Sequence, residues 1–204
     1  MTRRPPTNVA PRWQIVSEEG EPAPGTLGIR LLAGGGFGDG THPTTALCLQ
    51  ALSALAPRGR AFRLLDFGSG SGILAIAAAL HLGARVDAVE ISPAAIEHAE
   101  RNFSANGVSD RIRQLTALPP GVAQYDFVIA NILRPVLIAN ARELTAELAP
   151  GAVLVLSGLV STDVPEVRAA YAAAFPGSRG EVYASESWRA LVFHNALSNH
   201  ERYE

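Results

Sequence analysis

A glycine-rich turn is the first place in this chain where residue types and spacing could do chemistry. The run DFGSGSG (residues 66–72) follows the apolar pair Leu64-Leu65 and leads into an apolar helical pattern from Ile73. Glycines accept positive φ and let the backbone approach a ligand closely, and the start of a helix offers free N–H groups. In open α/β sheets, ligands bind at this edge. The turn therefore indicates a nucleotide-like ligand, with a purely structural turn as the alternative.

Two acidic residues narrow the choice of ligand. Asp66 stands at the start of the turn, and Glu90 ends the next predicted strand, about 20 residues after Gly68, where a carboxylate can accept the ribose hydroxyls of an adenosine. The spacing is G-x-G-x-G, whereas the dinucleotide fingerprint is G-x-G-x-x-G, and its third glycine would fall on Ile73. A carboxylate repels pyrophosphate and attracts an ammonium group. The site therefore favours S-adenosylmethionine over NAD.

Two further segments are rich in polar groups that could face such a ligand. Residues 34–45, GGGFGDGTHPTT, precede a predicted helix and could close over a ligand, although a flexible linker is the alternative. Asn131 ends a predicted strand, and its amide could accept hydrogen bonds from an incoming amine and direct the nitrogen lone pair at a methyl group. An N-cap of the following helix is the alternative for Asn131.

The order of elements predicts an α/β fold with a mostly parallel sheet covered on both faces. Short β-branched or aromatic runs bounded by turn residues predict the strands, and residues 178–194 predict an antiparallel hairpin at the sheet edge. The strands are expected at 62–67, 85–91, 112–115, 125–130, 152–157 and 189–194, and the helices at 46–55, 73–82, 93–106, 133–148 and 164–175. Residues 1–26 predict an N-terminal tail with one short strand at 13–16, and residues 27–204 the catalytic domain.

Composition excludes several classes of protein. All 17 basic residues are arginine, so no Schiff-base lysine or Walker lysine exists, and pyridoxal enzymes, P-loop NTPases and kinases are excluded. A formal net charge of −2 without a basic stripe argues against strong nucleic-acid binding. The single cysteine, the absence of a signal-peptide pattern and the short apolar runs predict a cytoplasmic protein without membrane spans. The histidines show no metal-ligand spacing, so no metal is expected.

These motifs together resemble the PrmA family, bacterial methyltransferases that modify amino groups of a large-subunit ribosomal protein. The resemblance is carried by FGDGTHPTTALCLQAL (37–52), LLDFGSGSGILAIAA (64–78), AVEISPAAIEHAERNFSANGVSDRI (88–112), IANIL (129–133), LSGLV (156–160) and SWRAL (187–191). It implies a Rossmann-like, class I S-adenosylmethionine-dependent methyltransferase with a seven-stranded sheet. It also implies N-methylation of a protein amino group, with Asn131 as the catalytic residue. The residues expected to bind the cofactor are Phe37, Thr45, Asp66, Gly68, Gly70, Glu90 and Asn131.

Departures from the family pattern leave more than one hypothesis for the molecule that accepts the methyl group. Arg134 stands where a small residue is common, and it could bind an acidic group of a substrate. The family's separate N-terminal recognition domain has no counterpart in the tail. Methylation of a small molecule or peptide is therefore a second hypothesis, and a module that binds S-adenosylmethionine without transfer is a third.

Overall fold

The computed structural model describes residues 7–33, 38, 40–119, 124–174 and 180–195, which form two sheets and six helices. The strands are β1 (Thr7–Ala10), β2 (Trp13–Val16), β3 (Leu27–Arg30), β4 (Phe62–Phe67), β5 (Ala84–Val89), β6 (Ile112–Leu115), β7 (Tyr125–Asn131), β8 (Leu148–Val160), β9 (Glu181–Ser185) and β10 (Trp188–His194). The helices are α1 (Pro43–Leu55), α2 (Ile73–His81), α3 (Pro93–Ala105), α4 (Arg134–Ala139), α5 (Ala141–Ala146) and α6 (Val164–Ala174). No helix of these described residues is long and apolar enough to cross a membrane.

The large sheet has seven strands in the order β6-β5-β4-β7-β8-β10-β9. The pairs from β6 to β8 are parallel, and β10 pairs antiparallel with both β8 and β9. The predicted α/β sheet with a C-terminal antiparallel hairpin is thus confirmed. Chain order reverses between β4 and β7, and at such a switch point the loops that follow the two strands leave a crevice.

Helices cover both faces of this sheet, which is why its central strands are apolar throughout. Successive residues of β4 point to opposite faces, so that Leu64 and Leu65 are both buried but in different hydrophobic clusters. The first cluster contains residues of α1, α2 and α3, and the second contains residues of α4, α5 and α6. The strands are therefore held between two packed layers, and their carboxyl ends are fixed in position.

A small sheet packs the amino-terminal residues against this domain. The strand β2, predicted at residues 13–16, is confirmed, but β1 pairs with it antiparallel and β3 pairs with it parallel. Trp13 is 1% exposed, its Nε1 donates to Ser53 Oγ at 2.7 Å, and its ring lies edge-on to His81. The described part of residues 1–26 therefore packs against the domain. The burial of the large Trp13 indole stabilises this arrangement, because aromatic side chains bury a large apolar area. The boundary of the catalytic domain after residue 26 stays a prediction.

The helix predicted over residues 133–148 is wrong as a single element, because it breaks into α4 and α5 at Asn140. Asn140 has φ −98° and ψ 10°, and its Nδ2 donates to the carbonyl of Val136 at 2.8 Å. The neighbouring carbonyl of Leu137 accepts from Tyr171 Oη at 2.9 Å. Side-chain donors thus take backbone acceptors at this point, which favours the end of a helix.

We expect Trp13→Ala to lower the free energy of unfolding by about 3–5 kcal/mol, because it removes a large buried side chain and leaves a cavity. Urea unfolding monitored by circular dichroism measures the change. Val182→Ala, at a 43% exposed position on β9, is the control and should have an effect below about 0.5 kcal/mol. A loss under 1 kcal/mol for Trp13→Ala would mean that the small sheet contributes little to the stability of the domain.

Candidate functional site

The glycine turn is bound to the end of the neighbouring strand by backbone hydrogen bonds. The N–H groups of Gly68 and Ser69 donate to the carbonyl of Val89 at 2.8 and 3.0 Å. Gly68 has φ 78°, and a Cβ there would collide with the side chain of Ile132. Only glycine combines this positive φ with the absence of a Cβ. The turn can therefore lie close to both β5 and the loop after β7.

Glu90 connects the turn to the start of α3. Its Oε2 accepts the N–H of Gly70 at 3.0 Å, and its Oε1 accepts the N–H groups of Ile91 and Ser92 at 2.8 and 2.9 Å. An ionised carboxylate has about four acceptor positions. A ribose hydroxyl bound here would therefore share the Glu90 carboxylate with three backbone donors.

Asp66 lies beneath the turn. It is 1% exposed, its Oδ2 accepts the N–H of Ala75 at 3.0 Å, and its Oδ1 has no hydrogen-bond partner among the described residues. Burial raises the pKa of Asp66 to about 7, the Ala75 N–H opposes that rise, and the nearby charge of Glu90 adds to it. The carboxyl of Asp66 therefore takes up or releases a proton close to neutral pH.

Asn131 stands at the carboxyl end of β7, in register with Ser157 of β8. Its Oδ1 is buried and has no hydrogen-bond partner among the described residues. The N-cap of α4 is Leu133, so the alternative interpretation of Asn131 as that cap is wrong. A buried amide oxygen without a partner is unfavourable. Because Asn131 lines the cleft, a turn of its amide toward the cleft would let a donor on a ligand satisfy this oxygen.

The backbone after Asn131 turns sharply against the next strand. Gly158 has φ 85°, and a Cβ there would lie 2.5 Å from the carbonyl oxygen of Ile132. The glycine therefore allows the loop that follows Asn131 to lie directly on β8.

The start of α1 brings another polar segment to the same edge of the sheet. His42 is the N-cap, its Nδ1 lies 2.7 Å from Thr44 Oγ1, and its ring stands edge-on to Trp188 with centroids 4.6 Å apart. The hydroxyl of Ser157 donates to the carbonyl of Thr44 at 3.3 Å. Thr45 is the next residue and is buried in α1.

Asn102 of α3 connects the segment before α1 to the glycine turn. Its Oδ1 accepts the N–H of Leu32 at 3.0 Å, and its Nδ2 donates to the carbonyl of Ser71 at 2.9 Å. The hydroxyl of Ser71 in turn donates to the carbonyl of Gly38 at 2.6 Å. The two segments that the sequence predicts on either side of a ligand are thus joined by side-chain hydrogen bonds.

These segments enclose a cleft of about 540 Å³ at the carboxyl ends of the strands. Four of the seven predicted cofactor-binding residues line it: Gly68, Gly70, Glu90 and Asn131. Asp66 lies under the turn, and Thr44 lines the cleft where Thr45 was expected. Phe37 lies outside the described residues.

The sequence did not point to most of the apolar lining of the cleft. Its members are Phe67, Val89, Ile91, Ile132, Leu133, Val136 and Trp188. All but Trp188 lie within five residues of a predicted site residue, so they are signalled by their position at strand ends. Trp188 reaches the cleft through the antiparallel pairing of β10 with β8, which brings residues 188 and 160 together.

The cleft fits S-adenosylmethionine better than a dinucleotide. Its described lining contains no arginine, so no cation is present there to hold a pyrophosphate. It offers the Glu90 carboxylate for hydroxyl groups, the unpartnered Oδ1 of Asn131 for a donor, and apolar walls for a base. Within the described ranges no group of His, Cys, Asp and Glu could hold a metal ion.

Arg134 is not among the described residues that line the cleft, and its guanidinium is ion-paired. Its Nη1 lies 3.1 Å from Asp163 Oδ1 and 3.4 Å from Glu166 Oε2. The interpretation of Arg134 as an anchor for an acidic substrate is therefore weakened, because its charge is already balanced by two carboxylates.

Comparisons with known proteins identify relatives of this chain. The family model described as "Ribosomal protein L11 methyltransferase (PrmA)" matches residues 3–196. A ribosomal protein L11 methyltransferase of Pseudomonas aeruginosa (strain LESB58) is 43% identical over 165 residues, which are 80% of this chain and 55% of that relative. The chain thus spans about half the length of the curated relatives it matches.

Solved structures share the fold. The crystal structure of ribosomal protein L11 methylase from Lactobacillus delbrueckii subsp. bulgaricus has a TM-score of 0.81 at 28% identity, covering 94% of this chain and 98% of that one. An RNA methyltransferase from Salinibacter ruber, in complex with S-adenosyl-L-homocysteine, has a TM-score of 0.59 at 19% identity, covering 78% and 95%. The predicted class I methyltransferase fold is confirmed.

Asp66 makes stability depend on pH in a defined direction. Its pKa is about 7 in the folded chain against a usual 3.8, so the folded state holds this proton more tightly. The Asp66 contribution is therefore fully favourable below about pH 4 and is lost as pH rises to about 7, at up to about 1.4 kcal/mol per pH unit. We expect the free energy of unfolding of the wild type, minus that of Asp66→Asn, to fall across this interval.

Urea unfolding at pH 4, 5, 6, 7 and 8 measures this difference. Asp110→Asn, an exposed carboxyl on the surface, is the matched control and should give a small difference that changes little over the same interval. A difference for Asp66→Asn that is constant from pH 4 to 7 would contradict a raised pKa.

Proposed function

Because the chain belongs to the PrmA family of ribosomal protein L11 methyltransferases, we propose that it binds S-adenosylmethionine in the cleft and methylates an amino group of a protein. The observation that carries the proposal is Asn131, which lines the cleft at the end of β7 and whose Oδ1 has no hydrogen-bond partner among the described residues. We further propose the cytoplasm as the place of the reaction, since the relatives are named for a ribosomal protein.

The cofactor half of the cleft is formed by the ends of β4 and β5. Gly68 and Gly70 leave room for a ligand against the backbone, and Glu90 offers its carboxylate to the ribose. Ile91, next in the chain and exposed, gives an apolar surface for the base. Asp66, beneath the turn, adds negative potential in its ionised form, and that potential favours the ammonium group of the methionine moiety.

The acceptor half is formed by the end of β7 and the loop that follows. When bound, S-adenosylmethionine would supply an electrophilic methyl group to the amine nitrogen and would leave as S-adenosylhomocysteine, while the proton released by the nitrogen would pass to solvent. Asn131 Oδ1 accepts an N–H of the amine and so directs the nitrogen lone pair into the cleft. Catalysis then comes mainly from orientation.

The other hypotheses receive less support. Methylation of an acidic small molecule would use Arg134 as an anchor, but Asp163 and Glu166 already hold it. A module that only binds the cofactor has no need of an unpartnered amide oxygen beside the binding site, since that group is unfavourable until a donor meets it.

Cofactor binding is tested by calorimetry. We expect S-adenosylmethionine and S-adenosylhomocysteine to bind and NAD not to bind. Glu90→Gln should weaken the binding by about tenfold, because it removes a charged acceptor. Glu97→Gln, on the exposed face of α3, is the matched control and should leave the affinity unchanged. Tight NAD binding, or an unchanged affinity in Glu90→Gln, would contradict the assignment of this half of the cleft.

Methyl transfer is tested with labelled S-adenosylmethionine and a bacterial lysate. We expect label on a lysine side chain or an N-terminus of a protein, with formation of S-adenosylhomocysteine. Asn131→Ala should lower the turnover number by about 100-fold, because the amine loses its orientation.

Asn140→Ala, at the C-cap of α4, is the control for this experiment and should keep near-normal turnover. Label found only in small molecules would refute protein methylation. Near-normal turnover of Asn131→Ala would remove Asn131 from the mechanism.

A further inference from the structure

Large exposed apolar side chains are concentrated at the mouth of the cleft. Five such residues occur in the described part of the chain, and three of them line the cleft: Ile91 (82% exposed), Leu133 (73%) and Val136 (43%). The other two, Leu80 and Val182, lie elsewhere. Apolar side chains gathered at one mouth indicate a contact with another molecule, whereas single ones scattered over a surface do not.

The three residues fall on two sides of the glycine turn. Ile91 follows β5, and in the sheet order β5 lies on one side of β4, next to the Glu90 carboxylate. Leu133 and Val136 follow β7, on the other side of β4. Trp188, at the start of β10, lines the cleft on this same side. Leu133, Val136 and Trp188 therefore border the acceptor half of the cleft, and we name them the apolar rim.

The apolar rim contains no charge that would select a polar neighbour of the amine. Glu90 is the one carboxylate or guanidinium in the described cleft lining, and it lies on the cofactor side. Arg134, between the two aliphatic rim residues in the chain, is held by Asp163 and Glu166. The described lining residues on the Asn131 side of the cleft, His42 apart, are thus uncharged and mostly apolar.

We propose that the apolar rim is a specificity subsite that binds a bulky apolar residue next to the methylated amine of a peptide or protein acceptor. The inference rests on the proposed function and adds which type of residue flanks the methylated amine in the acceptor. Leu133 lies two residues after Asn131, so a side chain adjacent to the amine reaches the rim while the nitrogen lies at the amide. Burying an aliphatic side chain on this surface is enough to select among acceptors.

The test uses two peptides that carry one lysine and an acetylated N-terminus and differ only in the residues beside the lysine, leucine or serine. Their affinities are measured by calorimetry in the presence of S-adenosylhomocysteine, and methyl transfer is measured in parallel. We expect the wild type to prefer the leucine peptide by about tenfold in affinity. The same preference should appear in kcat/KM, mainly through KM.

The double variant Leu133→Ser/Val136→Ser should reduce this preference to about twofold or less and leave the affinity for S-adenosylhomocysteine unchanged. The fold should survive, since residue 133 is the N-cap of α4 and serine is favoured at that position. Leu80→Ser/Val182→Ser is the matched control, with the same residue types removed from exposed positions outside the cleft, and should keep the tenfold preference.

Each result decides one question. Equal affinity of the wild type for both peptides, or an undiminished preference in the rim variant, overturns the subsite. A shift in oligomeric state of the rim variant with no change in peptide preference also overturns it and assigns the surface to a second copy of the chain. Selective peptide binding without any methyl transfer supports the subsite and refutes the proposed function instead.

Discussion

Two backbone hydrogen bonds, from Gly68 and Ser69 to the carbonyl of Val89, hold the centre of this molecule together. They place the turn after β4 against the end of β5. On its other side the Ile132 side chain packs against Gly68, in the space that a Cβ at residue 68 would occupy. The ends of the neighbouring strands β5, β4 and β7 therefore meet at this turn. The cleft exists because parallel strands end there and the chain order reverses between β4 and β7.

Charge is distributed around this point unequally. Asp66 is buried beneath the turn, where loss of water raises its pKa to about 7, and Glu90 is saturated mostly by backbone N–H groups. Asp66 lies under the turn, and Glu90 lines the cleft just after β5. The neutral amide of Asn131 stands at the end of β7, on the other side of β4, and apolar side chains make up much of the lining. The carboxylate and the amide are therefore separated by the glycine turn.

Several parts of the fold and site could be predicted from local pattern. The turn residues 66–72, the acid at 90 and the asparagine at 131 each stand at the end of an apolar strand, and parallel strands bring such ends together. The break of the helix at Asn140 could not be predicted in this way. Besides the local hydrogen bond of Asn140 with the Val136 carbonyl, Tyr171 of α6 donates to the carbonyl of Leu137, a contact between residues distant in the chain.

The sequence by itself determined which chemistry-bearing residues stand at the ends of strands and that the chain has no lysine, because these follow from local pattern and composition. Tertiary structure alone decided that Trp13 is a core residue, that Arg134 is paired with Asp163 and Glu166, and that Trp188 completes the cleft. The physical reason is that burial and ion pairing depend on which distant segments meet. The glycine turn forms one wall of the cleft, but the packing around it determines which other side chains line that cleft.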